Sequence, residues 1–327
     1  MAEEYTPDQQ KKIAKHFVLV APHGEVHDLT KELQTKLKNL KNNKFVLLTD
    51  LRAVVKGGLL DDKWLHAAMT EYNKRHFEIA ESDKTKVICC PQGEVEANKY
   101  LNPEKKVICT VDPVTQVFFL FGIRADVILS GEFLEFREKA HSKLKEYLNG
   151  FYEDGTTNPA SMSRGQGTVY VSPDGQLAVV ISFKNLNVSN YWTGGWQSEW
   201  TVKLGKKGPT KLEGRIRLKV HYYEDGNVQL NSTFNETGEV EVSVEFFFLK
   251  HFVSLSASPF FLGATKKFKK NVFEIIREND PSSTATALIN TIRTLENDFQ
   301  LRLEKFYVQM HDSTFKNMRR YDNFKKI

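Results

Sequence analysis

Cysteine is scarce in this chain. Cys89, Cys90 and Cys109 are the only three. An odd number without framework spacing excludes a disulfide-stapled scaffold and suits a reducing compartment. A long uncharged apolar run is missing as well. The nearest approach, FFFLKHFVSLSASPFFLGA at 246–264, is broken by Lys250, His251 and Pro259. A spanning helix needs about 20 nearly uncharged apolar residues. The opening MAEEYTPDQQKK has no apolar signal core. Signatures of chemistry are equally absent. There is no GxxxxGK before Ser or Thr to cradle phosphate, and no HExxH to hold zinc. RGQGTVYV (164–171), followed by Lys184, imitates a kinase glycine loop and its lysine. It lacks the third glycine, and no HRDxxxxN or DFG follows, so it reads as a hairpin with a glycine turn.

The remaining reactive residues have ordinary readings. His23 and His27 straddle Gly24 at a helix start, where exposed or capping histidines are commoner than metal ligands. Cys89 and Cys90 are adjacent, which fits neither CxxC redox chemistry nor a zinc knuckle, so they read as small apolar strand residues. Asn187, Asn231 and Asn235 stand in glycosylation patterns that mean nothing without a secretory signal. No cofactor, no metal and no enzymatic activity are expected.

What is present is a core and a mixed surface. Hydrophobic residues make 40% of the chain and aromatics 12%, enough to bury a core. The net charge of +5 is spread among both signs along the chain, which gives no argument for nucleic acid.

Taken in order, residues 7–41 read as two helices. Thr6 caps the first and Pro7 opens it, with Ile13, His16, Phe17 and Val20 on one face. Val26, Leu29, Leu33, Leu37 and Leu40 mark the second. A third fits 60–76, with Trp64, Leu65, Ala68, Tyr72 and His76 inward. Short turns between them predict an antiparallel three-helix bundle. Short strands follow at KVICC, KVICT and VFFLF, then a helix at 131–148 with Phe133, Phe136, Ala140, Leu144 and Leu148 on one face. The segment 150–167 reads as a loop by composition. TVYV, LAVVISF, WQSEWTVKL, GRIRLKVHYY and NVQLNSTF then alternate as five strands with hairpin-length links, an antiparallel sheet. The stretch Trp192 to Leu230 is its centre. Val220 and Tyr222 lead into Glu224-Asp225-Gly226-Asn227, and Val228 and Leu230 lead out, a strong hairpin signal. After Pro281, Leu288, Ile292, Leu295, Phe299, Leu303, Phe306 and Met310 recur every three or four residues to form one long amphipathic helix. From periodicity alone, that stripe could pack on its own sheet or on a partner.

Four strings resemble one family, the F-actin capping protein alpha subunit. They are YWTGGWQSEW (191–200), LKVHYYEDGNVQL (218–230), QMHDSTFKNMRR (309–320) and IAKHFVLVAPHGEVHDL (13–29). The resemblance implies an α+β fold in which the N-terminal bundle is a stalk and the last helix lies across the sheet. The expected division of one integrated domain is 1–80 helical stalk, 81–150 short strands and a helix, 151–245 sheet and 283–327 long helix. Between them, 246–282 is an aromatic and lysine-rich insertion unusual for the family, and a second extra stretch lies around 46–58.

The functional expectations rest mainly on the family. It implies a non-enzymatic cap on the F-actin barbed end, paired with a capping protein beta subunit or a second copy of this chain, in the cytoplasm and cytoskeleton. The stripe Leu288, Ile292, Leu295, Phe299, Leu303 and Phe306 is the expected dimer interface. The last twelve residues carry Lys316, Arg319, Arg320, Lys325 and Lys326 against Asp322 alone. Such cations serve either to offset a helix dipole or to meet an acidic partner or phosphoinositide lipids. In the family the positions matching Lys316, Arg320 and, by spacing, Lys326 make the first contact with actin. The family's mobile tentacle has no counterpart before Ile327, which implies greater reliance on the basic patch. A rival reading is a homodimeric scaffold or anionic-lipid binder using 246–270.

Overall fold

The computed structural model describes residues 6–21, 61–82, 85–124, 133–152, 161–172, 174–187, 192–204, 209–222, 228–241 and 281–324. The second helix expected at 26–40 and both unusual stretches, 46–58 and 246–282 (apart from its last two residues), lie outside them.

Thr6 caps α1 (Pro7–Val20) as its sequence predicts, in a capping box closed by Gln9. Of the expected face, Ile13 alone packs against the core. Ala14, Val18 and Leu19 are buried, whereas Phe17 and Val20 are exposed. The Ala14–Val18 spacing, with Leu19 beside it, matches the side that meets α2 (Asp62–His76). There Leu65, Ala68, Met69 and Tyr72 complete one small core. Asp61 caps α2 through the Trp64 amide at 2.7 Å, and Phe77 ends it in the left-handed region at φ 47°.

The next segment forms two small antiparallel sheets. One pairs β1 (Ile79–Ser82) with β2 (Thr85–Ile88). The other runs in order through β3 (Glu94–Glu96), β4 (Lys99–Asn102), β5 (Val107–Val111) and β6 (Phe118–Arg124). The sequence reading missed β1, β3 and β4, which are too short and too irregular for alternation to register. Cys89 and Cys90 directly follow β2, and with Cys109 they are buried. Burial pushes the Cys90 thiol up to about 12 and Cys109 up to about 11, so neither is a reactive thiolate.

α3 (Leu134–Tyr152) buries Phe136, Ala140, Leu144 and Tyr147. The central sheet is a five-stranded antiparallel meander: β7 (Ser161–Val171), β8 (Gln176–Asn187), β9 (Trp192–Lys203), β10 (Pro209–Tyr222) and β11 (Val228–Glu241). β7 begins inside the expected loop. Its glycines, which looked like loop composition, make room for neighbours: a Cβ at Gly167 would stand 2.4 Å from Leu148 of α3. The glycine turn between β7 and β8 is real, with Gly175 at φ 80°.

Along the meander, alternate residues face opposite sides. One face carries Val169, Val179, Ile181, Trp200, Leu212 and Ile216 under α3 and α4 (Pro281–Phe324). Trp200 is fully buried, and Trp196 is half-buried. Gly214 admits the Trp200 ring, because a Cβ there would lie 2.1 Å from it. The opposite face receives the end of α2 and the small strands. Ser182 donates to the Phe77 carbonyl at 2.7 Å, Gln197 donates to the His76 carbonyl, and Lys184 pairs with Glu78. Mixed helix and antiparallel sheet give the expected α+β class.

Candidate functional site

The long helix α4 has two unlike halves. It runs for 44 residues, roughly 66 Å. Over its first half, Ala285, Leu288, Ile289, Ile292 and Phe299 are buried in the main core. The Phe299 ring lies 4.3 Å from Phe234 of β11 and 5.6 Å from Trp196 of β9, centroid to centroid.

A carboxylate sits inside this apolar contact. Glu296 accepts from the Trp200 indole at 2.9 Å and from the Tyr147 hydroxyl at 2.6 Å. It thereby ties α4 to β9 and to α3 at once. Burial raises its pKa, and its neutral donors only partly oppose this. The sequence signal for it was a charged residue between Ile292 and Phe299, on the face that should be apolar.

Those contacts correct the expected dimer interface. Leu288, Ile292 and Phe299 are spent on the chain's own sheet and offer no surface to a partner. Periodicity could not distinguish the two fates, because a stripe built for an internal sheet looks the same as one built for another chain. Leu295 and Leu303 are half-buried at the edge of the same cluster. The Phe306 side chain lies outside the described set.

Beyond Phe299 the helix leaves its core. Arg302 pairs with Glu236 of β11. Leu301 is 53% exposed and Val308 58% exposed. Seven residues apart, they lie two turns from each other on one side of α4. The sequence reading did not single them out, because they fall on the side of the helix opposite the main stripe. The helix continues through Lys316, Arg319 and Arg320 to Phe324. Those three backbone positions, at i, i+3 and i+4, share one side of the helix. Lys325 and Lys326 lie outside the described residues.

The described part of the helix is anchored in the core over its first half and carries the exposed Leu301 and Val308 beyond it. Among the described residues no group of three potential ligands could hold a metal ion, and no helix is long and apolar enough to cross a membrane.

Comparison with known proteins decides the identity of this architecture. The sequence model of a family described as F-actin capping protein alpha subunit matches residues 14–255 and 262–321. The chain belongs to the F-actin capping protein alpha subunit family. Among relatives, the F-actin-capping protein subunit alpha of Arabidopsis thaliana is 26% identical over 321 residues, 97% of this chain and 86% of the relative. That of Dictyostelium discoideum is 25% identical over 94% of this chain and 88% of its own length. A solved structure of the homodimeric actin capping protein alpha subunit from Plasmodium berghei shares the fold. Its TM-score is 0.63 at 20% identity, over 91% of this chain and 92% of that one. The alpha subunit family is one of actin-capping proteins, and enzymatic activity is no part of its description. Nor does the match favour a scaffold or lipid binder without capping activity. The stretch 246–270 invoked for that rival lies outside the described residues.

Proposed function

We propose that this chain caps the barbed ends of actin filaments as one subunit of a dimer, working in the cytoplasm at the actin cytoskeleton. The observation that carries this is membership of the alpha subunit family across nearly the whole chain. The geometry is compatible with it, since Glu296 and Phe299 fix α4 to its sheet and Leu301 and Val308 are exposed beyond them.

The dimer would form at a sheet edge that is unpaired among the described residues. Among them β11 is an edge strand of 14 residues without proline, and an edge of that length invites pairing with another sheet. Pairing there would join two sheets and bring two long helices together across them, with the N-terminal helices as a stalk. Leu301 and Val308, on the side of α4 turned away from its own sheet, would face the partner helix. The partner is a beta subunit or a second copy. A homodimeric relative's fold supports the second copy as a geometric option.

The basic end of α4, Lys316, Arg319, Arg320, Lys325 and Lys326, would make the electrostatic approach to the acidic filament end. Attraction of this kind weakens with salt. Phosphoinositide lipids are a second ligand for the same cations.

Seeded actin elongation with this chain, alone and with a beta subunit, tests the reading. Slowed barbed-end growth that is lost in Lys316→Glu/Arg320→Glu/Lys326→Glu is the expected result. Solution mass, and its change in Leu301→Glu/Val308→Glu, separates a self-paired cap from one needing a beta subunit. Growth unaffected by either form at micromolar concentration would overturn the proposal.

A further inference from the structure

On the sheet face away from α3 and α4, β10 presents Arg215, Arg217, Lys219 and His221 at alternate positions. Two of these cations have ordinary neighbours. Arg215 donates to the Asn235 side chain at 3.4 Å. Arg217 donates to the Arg75 carbonyl at 3.2 Å and stacks 5.8 Å from the Phe77 ring. Lys219 differs. Its ammonium meets the two ring nitrogens of His76 at 3.3 and 3.4 Å, and no described carboxylate lies within ion-pair reach.

Register explains what stands beside it. Gly195 of β9 pairs with Lys184 on one side and Lys219 on the other. A Cβ at Gly195 would meet nothing within 4 Å. The missing side chain therefore leaves a notch between two lysines on neighbouring strands. Val20, His76, Thr193, Gln197 and His221 complete a half-open pocket of about 30 Å³, enough for more than one water. His76 Nε2 lies 2.8 Å from the Leu19 carbonyl, so it donates there and Nδ1 keeps its lone pair toward Lys219. Lys184 has the Glu78 carboxylate, so among the described residues the pocket holds one cation in excess.

We propose that this notch binds a small phosphate-type oxyanion, inorganic phosphate or the end of a phosphate monoester, between Lys219 and Lys184 over Gly195. Both lysine ammoniums donate to it, and Thr193 and Gln197 are buried in the notch lining. The two ammonium groups suit the oxygens of such an ion, and the notch is too small for a large ligand.

The groups facing Lys219 are Arg75, His76 and Glu78 from the end of α2, Lys184 from β8, and Arg217 and His221 from β10. β9 and β11 contribute only uncharged residues there. Burial, followed by Arg75, Lys184 and Arg217, lowers the Lys219 pKa to about 8. His76 is pushed down to about 3 by burial and by the two lysines, and stays neutral. An arriving anion reverses the repulsion on Lys219. Binding is therefore strong below about pH 8, takes up a proton near that pH, and fades above it.

The test is calorimetric titration of the full-length protein with sodium phosphate, against sodium chloride at matched ionic strength, at about pH 7 and about pH 9. Saturable binding of one phosphate per chain, weaker at the higher pH, is expected. Lys219→Met should weaken it roughly ten- to a hundredfold, the loss of one charged hydrogen bond. Gly195→Asp places a carboxylate where the anion would stand, so it should abolish phosphate binding and raise Tm in chloride buffer. Glycerol phosphate binding as tightly as inorganic phosphate supports the monoester end, and weaker binding supports the free ion. Heats indistinguishable from those of chloride, or phosphate binding unchanged in Lys219→Met, would overturn the proposal.

Discussion

The two faces of the five-stranded sheet hold their neighbours by different means. The helix face is mostly hydrocarbon around one buried carboxylate, Glu296, held by neutral donors. The opposite face is fixed by directional bonds at its centre: Ser182 and Gln197 to the end of α2, and Lys184 to Glu78. Apolar contact is non-directional and gains energy by area. Hydrogen bonds and ion pairs gain little net but are costly to break when buried. One face therefore supplies adhesion for α3 and α4, and the other supplies the orientation of the small strands.

The sharpest way to break this contrast is on the polar face. Glu78→Ala takes the carboxylate from Lys184, which is 2% exposed, and should cost about 3–5 kcal/mol. Replacing both partners by Glu78→Leu/Lys184→Met should recover most of that loss. Denaturant unfolding of the three variants measures the asymmetry. On the apolar face, Gly214→Val drives a side chain into the buried Trp200 ring, and should cost about 1–3 kcal/mol with a shift in tryptophan fluorescence.

Smaller effects distinguish the two charged groups. The folded pKa of Glu296 is raised, so the carboxyl contributes most when protonated. Its contribution is full below the unfolded carboxylate pKa and declines as pH rises through the higher folded value. Glu296→Gln keeps an acceptor for Trp200 and a group for Tyr147 while removing the charge. It should flatten the fall in Tm as pH rises above the ordinary carboxylate range. Lys219 behaves in the opposite sense. Its folded pKa is depressed to about 8, so the native protein gains stability as pH rises from about 8 toward the unfolded lysine value of about 10.4. Lys219→Met should be slightly more stable than the parent at neutral pH in chloride, with the difference closing in alkali.

The elements most legible in the sequence were those with an unbroken period. α1, α2, α3 and α4 lie close to where capping and spacing put them, and the meander follows its hairpin signals. Less legible were elements whose residues answer to a neighbour. Gly165 and Gly167 look like loop residues until α3 and Phe183 fill the space above them. The inward face of α1 depends on where α2 lies, and Phe17 is no less apolar than Leu19. At the candidate site, the basic end of α4 and its apolar stripe were both readable, but not which molecule the stripe serves. The notch at Gly195 could not be read at all, since it joins residues on three strands.

The sequence by itself determined the α+β class, the family and the charge of the terminal helix, because local periodicity and matched strings need no knowledge of neighbours. Only the tertiary structure decided that Leu288, Ile292 and Phe299 belong to the chain's own core, that Glu296 is buried among them, and that Lys219 faces an open notch. Burial is a property of pairs of surfaces, and strand register brings together residues that the chain separates.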